Sequence, residues 1–134
     1  MIKRYIIAFF LLNIYTYQHS NGNCEKEISY QVIEKTIDIL SLEEHWTKEG
    51  EFDDDCVSAR DQYTLACALN KAHIEVRGEY KNRSCEMETV RYFIARHFFK
   101  RLKYHPIHGF NSHEKTTHGD VIFLLEKVLK KYKV

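Results

Sequence analysis

Four stretches of this 134-residue chain repeat their apolar residues every three or four positions, and that period limits the folds open to it more than any other feature. Around 26–45 the stripe is Ile28, Val32, Ile33, Thr36, Ile37 and Leu40, with Glu34, Lys35, Asp38 and Glu43 mainly on the other side. Around 58–77 it is Leu65, Leu69, Ala72 and Val76, opened by the start signal Ser58–Asp61 and closed by Gly78. Around 85–104 it is Met87, Val90, Ile94, Phe98 and Leu102, behind Ser84 and before Pro106. From Thr117 and Asp120 onward, Val121, Leu125, Val128, Leu129 and Tyr132 face one way and Glu126, Lys127, Lys130 and Lys131 the other. Stripes of this kind bury against other helices, so the fold is expected to be all-α. A single Pro and five Gly leave too few turn residues for a many-stranded sandwich. The links 46–57 and 105–116 are long enough to run beside a helix, whereas 78–84 is a short turn. Two long links around a short one favour a short-chain four-helix bundle of up-up-down-down topology over an alternating one.

Residues 1–22 read as a cleaved secretory leader. Lys3 and Arg4 precede an apolar run from Tyr5 to Tyr15, and a polar exit carries the small residues Ser20 and Gly22. The run is shorter than the ~20 apolar residues a spanning helix needs. The mature domain is then 23–134, secreted and extracellular, with no later segment able to insert in a membrane. All four cysteines, Cys24, Cys56, Cys67 and Cys85, fall in it, and an even count in an oxidising compartment reads as two disulfides. Spacing leaves all three pairings open. The chain's formal net charge of +1 gives no global attraction to nucleic acid.

Motifs for chemistry are weak. His105, His108, His113 and His118 lack the one-turn spacing beside a carboxylate that a zinc site uses, and no Cys-x-x-Cys is present, so no metal and no cofactor is expected. A His97, Lys100, His105 set for phosphodiester cleavage lacks a scaffold of strands. There is no Gly-x-Ser-x-Gly, and the chain is read as not an enzyme. Arg91 to Tyr104 is basic and aromatic, which suits either a core helix with a charged exterior or a surface for membranes or heparin. Asn82-Arg83-Ser84 is an N-glycosylation acceptor.

Several segments together resemble the interleukin-4/interleukin-13 group of four-helix cytokines. They are Gln31 to Leu40, Tyr63–Cys67 with Asn82–Cys85, His97 to Lys103, and Val121 to Tyr132. The resemblance implies a secreted monomer that bridges two type I cytokine receptor chains, one interleukin-4 receptor alpha-like and the other common gamma or interleukin-13 receptor alpha-like. It implies receptor contacts at Gln31, Glu34, Lys100, Arg101 and Lys103, and at Tyr132 for the second chain. It also implies a Cys56–Cys85 bridge, leaving Cys24–Cys67. Two other readings stand beside it: a secreted helical carrier of small apolar ligands, and a basic membrane- or heparin-binding defence protein.

Overall fold

The structure, a computed structural model, describes residues 24–49, 56, 61–103 and 105–133. The leader expected at 1–22 and the helix-start Ser58 lie outside them. The described residues form helices α1 (Lys26–Ile39), α2 (Leu65–Arg77), α3 (Cys85–His97), α4 (Pro106–Ser112) and α5 (His118–Tyr132). Single 3₁₀ turns cover Glu43–His45 and Phe99–Arg101, and the one β-type pairing among the described residues is an isolated bridge from Trp46 to Tyr63. The chain is all-helical, as its periodicity implies.

Each helix ends where local chemistry permits. The Thr64 hydroxyl accepts from the Cys67 amide at 3.2 Å and that of Ser84 from Met87 at 3.4 Å, satisfying first-turn donors of α2 and α3. Thr117 and Asp120 exchange hydrogen bonds in a capping box at the start of α5. Gly78 closes α2 at φ +80°, a conformation that favours glycine. Ile33, Leu69, Val90, Ile94, Phe110, Leu124 and Leu125 are fully buried together and form the centre of the core.

Specific contacts fix the helix directions. Cys24 bonds to Cys85 and Glu25 reaches Arg77 at 3.6 Å, so the start of α1 lies by the start of α3 and the end of α2. His118 Nε2 lies 2.6 Å from the Leu40 carbonyl, and Tyr132 meets Thr89, which sets α5 against the directions of α1 and α3. The four longer helices therefore alternate, correcting the up-up-down-down expectation. The link after α1 need not cross the molecule, because α1 ends and α2 begins at the same end. Its described residues Trp46, Thr47 and Tyr63 lie at that end. There Asn111 accepts from the Trp46 indole at 2.7 Å and the Leu65 amide at 3.0 Å, and donates to the Thr47 carbonyl at 3.1 Å.

The same directions correct the disulfides. The bridges are Cys24–Cys85 and Cys56–Cys67, with Cα atoms 5.7 and 5.2 Å apart. Cys67 opens α2 at the end away from Cys24, so neither expected pairing is within reach. The helix expected at 85–104 ends at His97, where the Phe98 ring turns in against Phe110 at 4.6 Å. The link expected at 105–116 contains α4, opened by Pro106 and anchored by buried Ile107 and Phe110. A side chain at Gly109 would meet Lys103 Cβ at 2.8 Å, so α4 can approach that segment only with glycine there.

Candidate functional site

Two groups of chemically active side chains stand out, one closed and one open. The closed group gathers around Glu86, in the first turn of α3 and fully buried. Its carboxylate accepts from Arg77 Nε at 2.8 Å and Nη2 at 3.1 Å, and from the Ser29 hydroxyl at 2.7 Å. His73 Nε2 lies 3.0 Å from Glu86 Oε1 and 3.1 Å from Ser84 Oγ. Because a carbonyl can only accept, His73 Nδ1 donates to Leu69 O at 2.7 Å. Burial pushes the Glu86 carboxyl upward, but hydrogen bonds from His73, Arg77, Ser29 and the backbone outweigh it and hold the group far below the usual carboxylate range. Burial raises the neighbouring Tyr132 hydroxyl, which shares a 2.5 Å hydrogen bond with Thr89.

A Ser, a His and a Glu in contact suggest nucleophilic catalysis, but the wiring here is wrong for it. In a triad the acid holds one imidazole nitrogen so that the other can take the serine proton. Here Ser84 and Glu86 crowd the same nitrogen, and the opposite one is occupied by a helix carbonyl. Ser84 is also the cap of α3, and all three side chains are buried. This cluster locks α1, α2 and α3 together.

The open group lies on the outside of α3 and α5. Tyr92, Phe93, His97 and Phe123 form a continuous string of rings with centroids 5.4, 5.7 and 5.6 Å apart. Tyr92 and Phe123 are 47% and 41% exposed, and Phe99, two residues past His97, is 71% exposed. Lys127 Nζ lies 5.3 Å from the Phe123 ring and Lys131 Nζ 5.9 Å from the Tyr92 ring. Arg96 donates to the Tyr92 hydroxyl at 3.3 Å. Among the described residues Arg96, Lys100, Lys127, Lys130 and Lys131 make no ion pair. Two acids along these helices are engaged elsewhere, Glu88 with Arg83 and Arg91, and Asp120 with Arg101. Glu126 falls on the flank away from α3, about 100° round α5 from Lys127 and one turn before Lys130.

The residues expected to contact receptors do not form one surface. Gln31 and Glu34 are exposed on α1, while Lys100 and Lys103 are exposed in the segment after α3. Arg101 is turned inward: it donates to Asp120 at 2.8 Å and to Thr116 at 3.3 Å and covers the Phe98 ring at 4.9 Å. Burial raises the Asp120 carboxyl, but Arg101 and Thr117 outweigh it and hold the group low. Tyr132 is 5% exposed, so its position also corrects the expectation of an outward contact. Asn82 is exposed, and its side-chain oxygen accepts from Tyr80 at 3.0 Å and Arg91 at 2.5 Å. No group of three metal-ligating side chains converges among the described residues. The spacing of Arg77 and His73, one turn apart on α2, could have signalled the buried cluster, but Glu86 reads in sequence as a helix-start acid. Lys127 and Lys131 read as solvated, with nothing to show that aromatic rings of α3 lie beneath them.

The chain belongs to a family of unknown function (DUF6197), which it matches over residues 28–130. No curated protein and no solved structure matches it. The match spans α1 to α5 almost entirely and excludes the leader-like segment.

Proposed function

We propose that this member of the family is an exported, non-catalytic binding protein that acts through the outer α3–α5 face. One observation carries the reading: an unbroken string of rings with Lys127 and Lys131 set over two of them, and Glu88 and Asp120 paired elsewhere. Aromatic side chains and unopposed charge are what recognition surfaces use for contact area and for steering a partner of opposite charge. All four cysteines are bridged, which suits an oxidising compartment, and the leader-like start of the sequence supplies a route to one. Among the described residues no helix is long and apolar enough to cross a membrane. The receptor-bridging reading implied by the interleukin-4/interleukin-13 resemblance has no comparable support. It needs Arg101 and Tyr132 on open surfaces, and the alternating helix order is not that group's.

Retention on immobilised heparin, a general polyanion probe, tests the proposal. The purified oxidised protein is expected to bind and to elute with salt, and Lys127→Glu with Lys131→Glu to remove most of that retention. A double variant that elutes with the parent protein, or a parent protein that does not bind, rejects the face as the binding surface.

A further inference from the structure

We infer that the α3–α5 face docks on the surface of an anionic lipid bilayer; this rests on the binding role proposed above and names its partner. The shape of the face favours a planar partner. Its rings lie along the exterior of two antiparallel packed helices, where Tyr92 and Phe123 are the parts left open, and Phe99 is exposed in the 3₁₀ turn just beyond α3. A peptide ligand instead seats its anchors in a desolvated pocket.

The choice of cation points the same way. Four of the five are lysines, compact charges on flexible stems, whereas the rigid fork of arginine is favoured where a defined carboxylate must be gripped. Lys127 and Lys131 cover Phe123 and Tyr92 in water. On an anionic bilayer the same stems can carry their ammonium groups to lipid phosphates while the uncovered rings settle at headgroup depth, where aromatic residues concentrate.

Charge elsewhere favours the same orientation. Glu27, Glu34, Asp38, Glu43 and Glu44 are exposed on α1 and the turn after it. An anionic surface repels these carboxylates and attracts the lysines over the rings. No helix enters the bilayer in this arrangement, and each basic residue strengthens binding about fivefold.

Flotation of the oxidised protein with vesicles tests the inference, using pure phosphatidylcholine and an equimolar mixture with phosphatidylserine. Flotation only with the anionic vesicles, weakened by salt, is expected. Lys127→Glu with Lys131→Glu should lower the bound fraction's partition constant about twentyfold or more. Tyr92→Ser with Phe99→Ser should weaken vesicle binding several-fold while leaving heparin retention unchanged, because only a bilayer takes up the rings. Gln31→Ala with Glu34→Ala, on α1, should change neither. Circular dichroism checks that each variant is folded. Heparin retention without flotation overturns the lipid partner and favours an acidic macromolecule on the same face. Loss of neither binding in the lysine variant overturns both proposals.

Discussion

The two ends of α3 treat charge in opposite ways. At its start Glu86 is fully buried, with Arg77, His73 and Ser29 converging on one carboxylate. Toward its end and across to α5, Lys127 and Lys131 stand over exposed rings and pair with no acid among the described residues. The first arrangement is satisfied within the fold and leaves nothing for a partner. The second is unsatisfied within the fold, and contact with something anionic would complete it. Polarity alone therefore does not mark a functional site; what matters is whether the molecule has already used it.

The sharpest way to break the comparison is to open the closed end. Arg77→Met leaves the Glu86 carboxylate buried without its two guanidinium hydrogen bonds and should cost about 3–5 kcal/mol, read from urea unfolding. Replacing Cys24 and Cys85 by serine releases a bridge that spans 61 residues and holds α1 beside this cluster, with an expected loss of about 4 kcal/mol. The 11-residue Cys56–Cys67 bridge should contribute about 1.5 kcal/mol less on the same chain-entropy estimate. Asn111→Ala strands the Leu65 amide and the Thr47 carbonyl and should cost about 2–3 kcal/mol.

Acid should weaken both ends of α3 as well. The Glu86 and Asp120 carboxyls are held below their ordinary values of 4.5 and 3.8 in the folded state. A depressed carboxyl contributes its full stability above the unfolded value and loses it as pH falls toward the folded one. Urea midpoints should therefore hold steady above about pH 5 and decline below it, and Glu86→Gln should shallow that decline. The smallest stability effect belongs to the open end. Lys127→Glu with Lys131→Glu should move the midpoint by no more than about 0.5 kcal/mol while removing heparin retention.

The helical class was legible because Val32, Leu69, Val90 and Leu125 recur at helical spacing and all four are buried. The caps at Ser84 and Thr117 were legible too, since short hydroxyl side chains before a periodic run have a direct use there. The order of the helices was not. Link length says what a connection can span, not whether it does, and residues 40–64 return to the end from which they leave. Spacing left the disulfide pairing open, and both bridges implied by the interleukin-4/interleukin-13 resemblance differ from those the helix order permits. Helix α4 was hidden because Ile107 and Phe110 supply one turn of a stripe among polar neighbours. The open face was half legible: Tyr92 to Lys100 reads as basic and aromatic, but only packing places Phe123, Lys127 and Lys131 beside it. Arg101 shows the converse, a basic residue of the same run that the fold takes for itself.

Nuclear magnetic resonance mapping with a short heparin oligosaccharide tests the central claim most directly. Shift changes should concentrate on Tyr92, Arg96, Phe99, Phe123, Lys127 and Lys131, leaving Ser29, His73 and Glu86 still. Changes centred on Gln31 and Glu34, or on the buried cluster, would contradict the division of the molecule into a sealed lock and an open binding face.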